Sequence, residues 1–164
     1  MILGMSLETF TFVHVVISLV GIMTGFIVVA LMLSSAPIAG WNAFFLISTI
    51  LTSVTGFFFP VKAIGPAHIV GAVSLVVLAV ALFAVYGHKL SGIWRTVYVG
   101  SVIVAFYLNV FVGVVQSFQK VTYLHNFAPN GSEPAFVVAQ AAVLILFVLL
   151  GIVAVRRYHP ILKA

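Results

Sequence analysis

The sequence predicts an all-α membrane protein, a compact bundle of five transmembrane helices without a soluble domain. Of its 164 residues, 64% are hydrophobic and 5% are charged, and the mean hydropathy is +1.35. Soluble domains carry about a quarter charged residues, so the composition excludes a water-soluble globule, and it is opposite to that of disordered chains. Five apolar stretches reach the roughly 20 residues that a helix needs to cross a bilayer core.

The apolar stretches define one transmembrane domain. The domain covers 1–164, with helices expected at 8–34, 41–59, 66–87, 93–119 and 134–156. Ser6 is a typical residue for the start of the first helix, whereas Pro60 stops the second because proline cannot continue the hydrogen-bond ladder. The connections are short, so we expect consecutive helices to run antiparallel.

Lysine and arginine positions predict that the amino terminus lies outside and the carboxyl terminus in the cytoplasm. In that orientation the inner segments hold five basic residues: Lys89, Arg95, Arg156, Arg157 and Lys163. The outer segments hold two, Lys62 and Lys120. This distribution follows the positive-inside rule. The net charge of +5 therefore faces lipid headgroups, and no nucleic-acid partner is expected because the chain has no soluble basic face.

Polar residues gather at the outer end and along one side of the fourth helix. At 100° per residue, one side of this helix and its continuation, here named the polar face, holds Tyr98, Ser101, Asn109, Gln116, Gln119, Lys120 and Tyr123. An amide without a partner in hydrocarbon costs several kcal/mol, so the polar face should point at other helices or water. It is either the wall of a ligand site or a set of interhelical hydrogen bonds, each of around 0.6 kcal/mol.

Two further polar side chains inside helices are candidate partners for the polar face. Gln140 on the fifth helix lies at a depth similar to that of Gln116, so we expect these two amides to meet. His14 lies within the first helix, where an imidazole can ligate haem, hydrogen-bond a quinone or relay a proton. The alternative is a neutral imidazole bonded to a neighbouring helix, at Gln140 or Tyr123. His68, near the start of the third helix, is a second histidine at the same end.

Motifs of several enzyme classes are absent from the sequence. There is no cysteine and no aspartate, and neither GxSxG, HExxH nor a glycine-rich phosphate loop occurs. The histidines and glutamates lack the local spacing of metal ligands, so no metal site is predicted. These absences argue against hydrolases and nucleotide-binding enzymes but leave a redox role open.

Two local features of the sequence bear on assembly. Gly21 and Gly25 form a GxxxG pattern, which lets two helix backbones approach closely. The pattern either docks the first helix inside the bundle or forms the seam of a homo-oligomer. Near the start of the fifth helix, Glu133 is expected to cap the positive end of that helix.

Three runs of the sequence resemble a family of small uncharacterised bacterial inner-membrane proteins. The runs are 53–60, 107–120 and 131–134 with its continuation to Gln140. The resemblance covers most of the chain and implies a bacterial inner-membrane location. The motif positions that it marks are Asn109, Gln116, Gln119, Lys120, Glu133 and Gln140. It implies no activity, cofactor or partner.

Three functions agree with these observations. The first is a small-molecule or redox-cofactor site, of haem b or quinone type, in the outer half of the bundle. Its residues would be His14, Asn109, Gln116, Gln119 and Gln140, with His68 and Tyr123 nearby. The second is a transporter or channel subunit with a polar path along the fourth helix. The third is an accessory or scaffold subunit of a larger membrane complex, in which the polar face serves only packing.

Overall fold

The computed structural model describes residues 2–60 and 65–159 of the chain, and within them the regular secondary structure is helical apart from one bridge between Ile2 and Met5. The helices are α1 (Leu7–Leu33), α2 (Ala39–Gly56), α3 (Pro66–Leu82), α4 (Ile93–Lys120), the single-turn α5 (Thr122–His125) and α6 (Pro134–Arg157). A π-helical turn, Phe83–Gly87, extends α3. The predicted all-α class is confirmed for these residues, whereas Lys62 and Lys163 lie outside them.

Among the described residues, four helices are long and apolar enough to cross a membrane. These are α1, α3 with its π-helical turn, α4 and α6. The chain is therefore consistent with a multi-pass membrane protein. The remaining long helix, α2, has 18 residues and carries several amide and hydroxyl side chains. Some of these side chains bond to neighbouring helices.

Helix ends follow local chemistry that is partly visible in the sequence. As predicted, Ser6 begins α1, and its Oγ accepts a hydrogen bond from the Thr9 backbone N–H at 3.1 Å. α2 ends at Gly56, three residues before the predicted position, since Phe57 and Phe58 donate to carbonyls only three residues back. A residue before proline also disfavours helical geometry, which prevents the helix from continuing to Pro60.

The helices form a bundle in which α4 is central. It packs against α1, α2, α3 and α6, while α2 lies between α1 and α3. One end of the bundle, the Glu133 end, contains the starts of α1, α3 and α6 and the ends of α2 and α4. The opposite end is named the Arg95 end. At the core, the buried Phe106 ring makes edge-to-face contacts with Phe26, Phe45 and Phe147.

The Gly21–Gly25 pair lies inside this bundle. A Cβ atom on Gly25 would stand 2.5 Å from Cδ2 of Phe106, and one on Gly21 would stand 3.1 Å from Nδ2 of Asn109. The absence of side chains at these two positions is what allows α1 to approach α4. Of the two alternatives, docking within the chain is therefore the observed one. An oligomer through these glycines would need a surface that α4 already covers.

At the Arg95 end, α4 holds the last turn of α6. Nη1 of Arg95 donates hydrogen bonds to the carbonyl oxygens of Val155 and Tyr158, each at 2.7 Å. The hydroxyl of Ser35 donates to the Arg157 carbonyl at 2.5 Å. The final carbonyls of a helix have no partners within it, and they carry its negative dipole end. The Arg95 guanidinium donates hydrogen bonds to these carbonyls and places a positive charge at the negative end of the helix dipole. This role of Arg95 was not predicted from the sequence.

Candidate functional site

The deeper half of the polar face joins α4 to α2. The hydroxyl of Tyr98 donates to Oδ1 of Asn42 at 2.5 Å, and Nδ2 of Asn109 donates to Oγ1 of Thr49 at 3.1 Å. Tyr98, Asn42 and Thr49 are all buried. This part of the polar face points inward as expected, and its polar atoms are bonded to α2.

Four other members of the polar face lie at the surface of the Glu133 end. Here named the Gln119 surface, they are the exposed side chains Gln116, Gln119, Lys120 and Tyr123. The Tyr123 ring contacts the exposed Phe127 ring edge to face, with 5.2 Å between the centroids. None of the four side chains has a hydrogen bond to another described residue. Of the seven members of the polar face, two are therefore bonded to α2 and four are exposed, and Ser101 is half-buried without a hydrogen bond to another described residue.

The predicted contact between Gln116 and Gln140 is wrong. Nε2 of Gln140 donates to the backbone carbonyl of Phe111 at 3.2 Å, and its Oε1 is buried without a hydrogen-bond partner among the described residues. Phe118 contacts Phe136 of α6. Since Gln116 is two residues from Phe118, a rotation of about 200°, it points away from α6. The error came from matching the depth of the amides without matching their direction.

His14 is bonded to the neighbouring helix. Its Nδ1 lies 2.7 Å from Oγ1 of Thr55, and its ring packs edge to face on Phe59 with 5.1 Å between centroids. The expected alternative of a helix-bonded imidazole is therefore observed, but its partner is Thr55 instead of Gln140 or Tyr123. Threonine at the end of α2 is closer because α1 and α2 run antiparallel in direct contact.

His68 packs on a different part of the α2 terminus. Its ring lies 5.7 Å from that of Phe57, and Nδ1 accepts a long 3.5 Å hydrogen bond from the Gly65 backbone N–H. Within residues 2–60 and 65–159, no three His, Asp or Glu side chains lie together as a metal-ligand group. The structure thus places both histidines at the Glu133 end, each with its own partners, and does not bring them to Asn109 or Gln140.

α2 supplies polar partners to three neighbouring helices. Besides its bonds to α4 and to His14 of α1, it contacts α3 through Ser53, whose Oγ lies 3.0 Å from Oγ of Ser74. Sequence reasoning missed Asn42, Thr49 and Ser74. The signal was present, because Asn42, Thr49 and Ser53 are spaced by seven and four residues, which places them on one side of a helix. Ser48 and Thr55 bond to carbonyls of α2 itself, as such residues often do.

The segment before α6 encloses a small cavity at the Glu133 end. Its volume is about 170 Å³, and its walls include Phe118, Gln119, Asn130, Gly131 and Phe136. The polar part of its wall is formed by Gln119, which belongs to the predicted site, and by Asn130 of the segment before α6. Of the seven predicted site residues, Gln119 alone lines this cavity.

Glu133 is the N-cap residue of α6, at the position predicted for it, but its carboxylate bonds to the preceding loop and not to the helix. Its Oε1 accepts from the backbone N–H and the side-chain amide of Asn130, both at 2.9 Å, while Oε2 accepts from the Ser132 N–H at 3.0 Å. No side-chain hydrogen bond reaches the first turn of α6. The hydrogen bond from the Asn130 backbone is the largest influence, and with the other donors it lowers the pKa of Glu133 below 4.5.

The lowered pKa predicts an acid-dependent opening of the loop. The carboxylate stabilises the loop above about pH 4.5, and this stabilisation is lost as the pH falls through the lower pKa of the folded state. Amide exchange at Asn130 and Ser132, corrected for intrinsic rates, should accelerate at acid pH. Glu133→Gln should show the fast exchange already at neutral pH. Protection independent of pH in the unmodified chain would contradict the prediction.

Comparisons with protein-family models, with curated proteins and with solved structures found no match for this chain. Over residues 2–60 and 65–159, the fold and site define an all-helical protein with four helices long and apolar enough to cross a membrane. Its interior polar side chains are bonded mainly through α2, and the exposed members of the polar face lie at the Glu133 end.

Proposed function

We propose that this chain is a multi-pass protein of the bacterial inner membrane, with five transmembrane helices, and that it serves as an accessory subunit of a larger membrane complex. The location follows from the resemblance of the three sequence runs to bacterial inner-membrane proteins. We assign α2 as the additional span that brings the number to five. It packs between α1 and α3, and its amide and hydroxyl side chains bond to neighbouring helices. Polar groups bonded in this way are compatible with a bilayer.

The proposed orientation places the Arg95 end in the cytoplasm. Lys89, Arg95, Arg156 and Arg157 lie there, and Glu8 and Glu133 lie at the opposite end with Lys120. Basic residues concentrate on the cytoplasmic side of membrane proteins. The Gln119 surface then faces the outside.

The division of the polar face is the observation that supports the accessory role. The buried members and His14 are bonded to α2, which is typical of packing between membrane helices. The Gln119 surface has no hydrogen bond to another described residue, and its Tyr123 ring contacts the exposed Phe127 ring. Exposed aromatic rings, tyrosine above all, are enriched at contacts between subunits.

Site-specific photo-cross-linking in bacterial membranes tests this role. A photoreactive residue at Gln119 should give one discrete protein adduct, identified by mass spectrometry. The same residue at Val138, an exposed apolar position on α6, is the matched control and should label lipid only. Tyr123→Ala should reduce the Gln119 adduct. A single monodisperse particle in mild detergent, with no protein adduct from Gln119, would contradict the proposal.

The cavity beside Gln119 favours a second function, the binding of a small polar molecule at the outer end. Its volume of about 170 Å³ is below the about 300–1,000 Å³ of drug-sized ligand sites, so its ligand has few atoms. Mass spectrometry of molecules extracted from purified protein should find a ligand that Gln119→Leu removes. Extraction of nothing above the detergent control would contradict it.

The redox and transport alternatives have their own tests. A haem site at His14 would give a Soret band that His14→Ala abolishes, and a quinone would appear among the extracted molecules. Colourless protein without quinone would contradict both. A transport path along the polar face would show as solute flux in liposomes that Gln116→Leu lowers, and unchanged flux would argue against that path.

A further inference from the structure

An apolar groove runs between α4 and α6 toward the Arg95 end. Its volume is about 460 Å³, and its walls include Gly100, Ile103, Tyr107, Phe147, Gly151 and Arg156. From Leu144 to Arg156 it follows thirteen residues of α6, a rise of about 18 Å along the helix. This length is close to one leaflet, or half of a hydrocarbon core about 30 Å thick.

Two glycines open the groove. A Cβ atom on Gly100 would meet nothing within 4 Å, and one on Gly151 would lie 3.3 Å from Cγ2 of Ile103. The missing side chains leave a channel on the face of α4 and α6 that is not covered by the rest of the bundle. Its shape suits a narrow apolar chain.

The groove ends at a positive charge. Arg156 is exposed and lines the groove. The nearby guanidinium of Arg95 is already bonded to the carbonyls of Val155 and Tyr158. Both glutamates of the chain, Glu8 and Glu133, lie at the other end of the bundle. An occupant with an apolar tail and a negative head would therefore match both the walls and the end of the groove.

We infer that this groove binds an anionic glycerophospholipid of the cytoplasmic leaflet, with one acyl chain between α4 and α6 and the phosphate at Arg156. The inference rests on the membrane insertion and orientation proposed above, but not on the accessory role. The proposed occupant of the groove is a lipid and not a second protein. The groove is open along the membrane plane, and the charge at its end is at headgroup level for a helix that ends at Arg157.

Native mass spectrometry of the purified chain tests the inference. With phosphatidylglycerol and phosphatidylcholine of identical oleoyl chains, we expect one retained phosphatidylglycerol and weaker retention of phosphatidylcholine. Arg156→Gln should weaken phosphatidylglycerol binding about tenfold, because it removes a charge-assisted contact with the phosphate at the end of the groove. Arg157→Gln makes the same charge change outside the groove, where an exposed charge is screened by solvent and salt, and should alter binding less than about twofold.

A second pair of variants tests the groove walls. Gly100→Leu places side-chain volume in the channel, where the new Cβ would meet nothing within 4 Å, and should abolish the retained lipid. It should leave folding intact, because leucine favours helix more than glycine does. Ala142→Leu adds bulk at an exposed position of α6 outside the groove and should leave binding unchanged.

Several results would overturn the inference. Equal losses from Arg156→Gln and Arg157→Gln would indicate general surface charge, and binding that survives Gly100→Leu would exclude the groove. A dimer that Gly100→Leu dissociates would assign the groove to a second copy of the chain. These measurements use the chain alone, so a missing partner in the cross-linking experiment and a missing lipid here are separate outcomes.

Discussion

Gly25→Ala is expected to lower the free energy of unfolding by about 1–3 kcal/mol, the usual cost of overpacking a core. The added Cβ would stand 2.5–2.9 Å from three atoms of the Phe106 ring. That ring is fully buried and has aromatic contacts with Phe26, Phe45 and Phe147, so it has little room to move. Reversible unfolding in mixed micelles measures the effect.

Gly100→Ala is the matched control for Gly25→Ala. It also replaces a glycine within a membrane helix, but the new Cβ would meet nothing within 4 Å. Alanine should stabilise α4 by up to about 1 kcal/mol through its helix propensity. Phe106→Leu is itself destabilising, but combined with Gly25→Ala it should cost less than the sum of the two separate losses, because the smaller side chain makes room for the new Cβ. Equal stabilities of the Gly25→Ala and Gly100→Ala variants would contradict the close approach of α1 to α4.

Arg95→Leu is expected to lower the free energy of unfolding by about 1.5–3 kcal/mol. Hydrogen bonds from charged groups contribute about this much, and both bonds from Nη1 of Arg95 would be lost. The carbonyls of Val155 and Tyr158 would lose their donor at the negative end of α6. Hydrogen exchange should show the loosening first in the last turn of α6.

Arg157→Leu is the control for the change in charge. Its side chain is exposed, so its removal should alter stability by no more than about 0.5 kcal/mol. Arg95→Lys should fall between the two, because lysine keeps the charge near the helix end without the planar donor group. Equal effects of Arg95→Leu and Arg157→Leu would mean that charge, and not hydrogen bonding to α6, is responsible.

Apolar length and composition were sufficient to predict the helices. In the structure, α1, α4 and α6 begin and end within one residue of the predicted positions. These ends are predictable because they coincide with strong signals such as Ser6 and Pro134. The end of α2 was less predictable. Gly56 and Pro60 both favour the end of a helix, and three residues separate them. The sequence alone does not indicate which of the two ends α2.

Helical periodicity identified the polar face but not its partners. The arithmetic of 100° per residue correctly grouped Tyr98 with Asn109, and both point inward. It could not indicate that Asn42 and Thr49 would meet them, because which helices pack together depends on the whole bundle. The same limit explains the wrong contact between Gln116 and Gln140. Similar depth does not imply that two side chains face each other.

The most direct test of the central claim, that the deeper polar face joins α4 to α2, is a double-mutant cycle between Asn109 and Thr49. Asn109→Leu and Thr49→Val each remove one side of the 3.1 Å hydrogen bond while keeping much of the volume. Unfolding in mixed micelles should give a coupling energy near 0.6 kcal/mol and no more than about 1.7 kcal/mol. Additive effects, with no coupling, would contradict the account and would make Asn109 available again to a ligand.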